Sequence, residues 1–194
     1  MNIKIRGEYR DIVTRNKEII EDRGWKSNKI SGDLGTFIAV MMRNRSFSGN
    51  GINYMAVGSS STAGSDSGEA AFKTRVKEKV FKISNIKNPE FYSSNNEWAW
   101  VKPISEISFL DQNPPTVITN KLKIEVTFEK DEKDLLGKTL EFKEFALLGT
   151  GTYDSSPHIF FINYVVHEPI SITFQKSSED NGTELTRTAQ LTFL

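Results

Sequence analysis

Apolar and polar residues alternate along much of this chain, and the alternation predicts strands. In "TVITNKLKIEVTFEK", Leu122, Ile124, Val126 and Phe128 fall on one side and Lys123, Glu125 and Thr127 on the other, the pattern of a half-buried strand. After the charged tip "DEKD", the stretch "KTLEFKEFALLGT" alternates again through Leu140, Phe142 and Phe145, so a long hairpin is expected here. The first residues, "NIKIRGEYRDIVTRNKEIIEDRGW", predict a strand, a polar turn near Asn16 and a second strand through Ile19 and Ile20. "HIFFINYVVH" predicts one more strand. The C-terminal stretch predicts a hairpin, with Ile172 and Phe174 on one arm, Leu185, Ala189, Leu191 and Phe193 on the other, and Asn181-Gly182 at the tip.

Helical periodicity is rarer. Leu34, Phe37, Ile38 and Met41 follow the i, i+3, i+4, i+7 spacing, with Ser31 or Asp33 placed as a cap. A short helix from about Ser67, with Glu69 in its first turn, is expected to give way to a strand through Val80, Phe81 and Ile83. "INYMAV" is a continuous apolar run, as in a strand buried on both faces. The expected fold is mainly β, an antiparallel β-sandwich or jelly-roll-like arrangement with long hairpins and one or two short helices. A single domain over residues 1–194 is expected, with the N-terminal hairpin and helix, about 1–43, packed on it.

Composition narrows the chemistry. Lys plus Arg and Asp plus Glu both number 25, so no net basic field draws the chain to nucleic acid or an anionic membrane. With no cysteine and two histidines, disulfides and thiolate metal sites are excluded and no cofactor or metal is expected. No apolar run approaches the roughly 18 residues that cross a bilayer, and no signal peptide is read. Hydrophobic residues make up 37% and aromatics 11%, which implies a thin, aromatic-rich core.

The glycine- and serine-rich stretch after "INYMAV" does not meet the Walker pattern, since no Lys-Ser or Lys-Thr follows Gly64. A small-residue loop lets another backbone approach closely, so Gly58, Ser59, Ser60, Ser61 and Gly64 form a candidate assembly loop. "YDSSPH" brings Asp154, Ser155, Ser156 and His158 together without the elbow that frames a serine nucleophile, and reads as a turn before a strand. His167 reads as a hydrogen-bonded sheet residue. Asp131, Glu132 and Asp134 alternate with lysine on a solvated tip. Glu141 and Glu144 flank Lys143, with no second carboxylate that the sequence alone can set opposite either. Trp98 and Trp100 share one strand face and serve either the core or a glycan platform.

Five stretches follow one another in a meaningful order: "NKISGDLGTFIAVMM", "INYMAVGSSSTAG", "EAAFKTR" from Glu69 to Arg75, "EFALLG" from Glu144 to Gly149, and "FINYVVHEPI" from Phe161 to Ile170. In that order they resemble a loosely defined set of structural proteins of tailed bacteriophages. Those carry an i-x-Y-i-A-V-G strand, a small-residue loop, E-x-x-x-x-x-R and E-F-x-L-x-G. Where their loop usually has Gly-x-Gly-Thr, this chain has Gly58 followed by three serines. The resemblance implies a non-enzymatic virion component, made in the host cytoplasm, in the tail, baseplate, fibre adaptor or collar. The alternatives are a head-decorating protein or a carbohydrate-binding β-sandwich that recognises a host glycan. Implied partners are other virion proteins and further copies of the chain, in a three-fold or six-fold assembly, without nucleic acid or membrane.

Overall fold

The computed structural model of the chain describes residues 4–43, 51–60, 66–82, 90–94, 97–104, 106–111, 117–129, 139–153, 156–174 and 183–194. Among them the fold is mainly β, with two antiparallel sheets and two helices, the composition expected of a β-sandwich. In chain order the elements are β1 (Ile5–Arg15), β2 (Glu18–Asn28), α1 (Asp33–Arg43), β3 (Gly51–Ser59), α2 (Asp66–Lys82), β4 (Glu90–Ser94) and β5 (Glu97–Pro103). They continue with β6 (Glu106–Phe109), β7 (Lys121–Phe128), β8 (Thr139–Tyr153), β9 (Ser156–Phe161), β10 (Val165–Thr173) and β11 (Thr183–Phe193).

The chain divides into two compact units: residues 1–28, 104–140 and 171–194 make the first, and 29–103 with 141–170 the second. The polypeptide passes between them at 28/29, 103/104, 140/141 and 170/171. The N-terminal hairpin lies in the first unit and the helix after it in the second.

The first unit is built on the sheet β2-β1-β11-β7-β6. Asn16 and Lys17, with φ of 52° and 68°, make the two-residue turn from β1 to β2 that the sequence placed near Asn16. Period-two alternation sorts the sheet's faces. Tyr9 and Val13 of β1, Leu185, Ala189 and Leu191 of β11, and Ile124, Val126 and Phe128 of β7 are buried. The opposite face carries polar ladders, among them Thr127 to Thr186 at 2.9 Å and Thr188 to Glu125 at 3.1 Å.

The second sheet runs β10-β8-β3-β5-β4, with β9 also on β8. "HIFFINYVVH" is not one strand but two, broken at Asn163, whose side-chain oxygen accepts from the Leu147 amide at 2.6 Å and replaces a backbone partner there. Residues 29–31 run beside the break, with Ser31 N donating to Ile162 O at 3.0 Å. Ser31 also caps α1, its hydroxyl accepting from Asp33 N at 3.3 Å. Leu34 and Phe37 of that helix are buried as the periodicity required.

Three expectations are corrected. β7 and β8 do not form a hairpin: β7 lies between β11 and β6, and β8 has β3 on one side with β9 and β10 on the other. β10 and β11 likewise belong to different sheets, because both edges of β11 are taken by β1 and β7. Val80 and Phe81 are helical: α2 runs unbroken for 17 residues, with no proline or internal glycine after Gly68 to stop it. The tips at 131–134 and 181–182, and Ile83, lie outside the described residues.

Candidate functional site

Alternation along three adjacent strands of the second sheet decides what α2 meets. Ala56 and Gly58 of β3, Ala99 and Val101 of β5, and Ala146 and Leu148 of β8 fall on one face, and Gly58 stands directly between Ala99 and Glu144 in the ladders. The same parity carries Ser60, Glu97 and Glu144 to one end of that face. Small side chains at its centre let the helix come close. A β-carbon on Gly58 would lie 2.7 Å from Phe72 Cε2 and 2.7 Å from the Trp98 carbonyl oxygen. Phe72 and Val76, four apart on α2, are fully buried here.

Arg75 follows Phe72 by three residues, and its guanidinium lands among the polar residues. Nη1 donates to Glu97 Oε2 and Nη2 to Glu144 Oε1, each at 2.9 Å. Tyr164 OH donates to Glu144 Oε2 at 2.7 Å, and Ser60 Oγ to Glu97 Oε1 at 2.9 Å. All four carboxylate oxygens thus hold a donor. Glu144 is 0% exposed. Burial pushes its carboxyl above the ordinary range, against the pull of the Tyr164 hydrogen bond and the Arg75 charge. Arg75 thus ties α2 to β5 through Glu97 and to β8 through Glu144.

A second buried ion pair lies in the first unit. Asp11 and Arg187 stand opposite each other in the β1–β11 ladder and form a two-pronged bond, with Nη2 to Oδ2 at 2.7 Å. Neither is more than 1% exposed, and the guanidinium sits 5.5 Å from the centre of the Tyr9 ring.

The residues singled out from sequence fare differently. Gly58 and Ser59 close β3 rather than opening a loop, Ser60 is buried on Glu97, and Ser61 and Gly64 lie outside the described residues. Trp98 and Trp100 are 5% and 0% exposed, so neither offers a ring face to a sugar; Trp98 packs edge-on against Phe142, 5.1 Å between centres. Ser156 and His158 stand in β9, while Asp154 and Ser155 lie outside the described residues. His167 is in β10, its Nδ1 2.8 Å from the Glu168 carbonyl oxygen. Glu141 pairs with Lys143 at 2.9 Å on the surface. The helix–sheet clamp was missed, although one signal was present: a carboxylate inside the apolar run at "FKEFALLG", which burial obliges to find a cation or donor.

Gly58→Val is expected to destabilise the folded chain by about 1–3 kcal/mol or more, because the clash includes a carbonyl that no rotamer change can move. Thermal and urea melts check this. Wild-type stability would show that α2 does not rest on Gly58.

Among the described residues, no group of three or more His, Asp and Glu side chains could hold a metal ion, and no helix is long and apolar enough to cross a membrane. No protein-family model, no curated protein and no solved structure matches the chain.

Proposed function

We propose that the chain is a structural component of a tailed-bacteriophage particle, on the tail side in the baseplate, fibre adaptor or collar, and that it works by binding other virion proteins and copies of itself. One observation carries this reading. Four of the five stretches whose order resembles the phage proteins meet in one buried cluster: Gly58 from "INYMAVG", Phe72 and Arg75 from "EAAFKTR", Glu144 from "EFALLG" and Tyr164 from "FINYVVHEPI". Residues scattered over more than a hundred positions thus serve a single packing function, as they would in a conserved scaffold. Their chemistry is consumed in holding the fold, which leaves the surface to do the work.

Immunogold electron microscopy tests the reading, with an antibody raised against the purified chain and particles released by the cells that encode it. Label at the tail or neck is expected. Label confined to the head would overturn the tail-side assignment, and absence from intact and disrupted particles would overturn the reading altogether.

A further inference from the structure

The edge strand β2 has β1 as its only ladder neighbour among the described residues. Three large apolar side chains on it are open: Ile19 is 62% exposed, Ile20 51% and Trp25 43%. Charge on an edge strand ordinarily opposes pairing with another chain. The order of charges on this one does the reverse for one specific partner.

The β1 register assigns the faces of β2. Ile19, Asp22 and Trp25 stand opposite Thr14, Ile12 and Arg10 and share the polar face of the sheet; Glu18, Glu21 and Lys26 stand opposite Arg15, Val13 and Tyr9 and share the other. Arg23, whose Nε donates to Glu21 Oε1 of the same chain at 2.7 Å, turns to this second face. Ile20 and Gly24 are the two extra residues at the register shifts, and Gly24 has φ of 64°. This pattern is its own mirror about Asp22.

We infer that β2 pairs antiparallel with β2 of a second copy of the chain, about a twofold axis at Asp22, joining two five-stranded sheets into one. In that register Glu18 meets the other copy's Lys26, Glu21 meets Arg23, and Ile19 meets Trp25, each contact occurring twice. Every pair lies on a common face, as residues opposite one another in an antiparallel ladder must. The bulged Ile20 falls opposite the bulged Gly24, the one residue of the strand without a side chain. A slip of one residue destroys the match: Glu21 then faces Asp22, or Ile19 faces Lys26.

Asp22 meets its own counterpart on the axis. Each is neutralised within its own chain, accepting from Arg10 Nε at 2.9 Å and from the Gly24 amide at 3.0 Å. The Arg10 hydrogen bond, with the Gly24 amide, holds this carboxyl down at about 2. The axis therefore carries two Asp–Arg pairs rather than two bare charges.

The inference does not depend on the particle reading, and its test is separate. The chain contains no cysteine, so an introduced pair reports without background. Opposed residues in an antiparallel ladder are about 4.5–5.5 Å apart at Cα, within disulfide reach. Residue 19 and its symmetry mate, six positions out of register, are roughly 20 Å apart. An equimolar mixture of I19C and W25C chains is expected to give a covalent dimer under mild oxidation, and each variant alone to stay uncrosslinked. The unmodified chain is expected to be dimeric by light scattering, Glu18→Lys to weaken the dimer, and Glu18→Lys with Lys26→Glu to restore it. A monomer at all concentrations, crosslinking as strong in either variant alone, or a larger oligomer lacking the mixed crosslink would each overturn the inference.

Discussion

Replacing Arg187 or Asp11 singly by alanine is expected to lower stability by about 3–5 kcal/mol, because either change leaves its partner's charge buried without compensation. Few surface substitutions approach this size. The pair lies among the buried Tyr9, Val13, Leu185 and Ala189 of the first sheet. Its attraction has to offset the desolvation of both ions, and that balance is close to even in proteins. A volume-matched apolar pair, Asp11→Leu with Arg187→Met, is therefore expected to match the wild type or to exceed it by about 1–4 kcal/mol. Urea melts of the four proteins close a double-mutant cycle. Single variants that melt like the wild type would show that water reaches the pair; a double variant as weak as the singles would show that the pair contributes more than charge compensation.

Arg75→Met is expected to cost a similar amount at neutral pH, about 3–5 kcal/mol, and its deficit is expected to depend on pH. Burial already raises the Glu144 carboxyl above its ordinary value of 4.5, with Arg75 among the groups holding it down. A folded carboxyl that is raised binds its proton more tightly than the unfolded one. The stability of the neutral form is thus fully present below the ordinary carboxylate value and is lost as pH rises through the folded one. Without Arg75 the folded value climbs further, so the deficit of Arg75→Met grows as pH rises through that window and shrinks in acid. Glu144→Gln added to Arg75→Met removes the charge and is expected to recover much of the loss at neutral pH, the Gln oxygen still accepting from Tyr164. Melts at about pH 4 and pH 7 check both points. A deficit that does not vary with pH, or a double variant no better than Arg75→Met, would show that Arg75 acts through packing on Phe72, 5.8 Å from its guanidinium carbon, rather than through Glu144.

The two buried ion pairs differ in how far the sequence disclosed them. Asp11 sits at an inward position of a clean alternation, between Tyr9 and Val13, and such a carboxylate must have a partner. Nothing local says that the partner is Arg187, 176 residues away. Sequence alone sets no second carboxylate opposite Glu144; the fold places Glu97 at the other prong of the same arginine. The glycan platform failed for a related reason. Two tryptophans spaced by two residues must share a face, but whether that face is covered depends on other parts of the chain.

Most strands, and the way their side chains alternate, were legible in the sequence. β1, β7 and the arms of β8 and β11 are legible because burial on one face leaves a record at every second residue, and α1 because burial on one helical face leaves a record at every third or fourth. Beyond the β1–β2 hairpin, which strands are neighbours was settled by tertiary packing. Backbone hydrogen bonds are the same whichever strand supplies them, and an apolar alternation fits any partner that covers its face. Adjacency in sequence therefore pointed to hairpins, β7 with β8 and β10 with β11, where the fold instead joined the first strand to the last. The length of α2 and the break at Asn163 were decided in the same way: the helix persists because Phe72 and Arg75 find the sheet, and the strand breaks because an asparagine side chain can take the place of a backbone carbonyl.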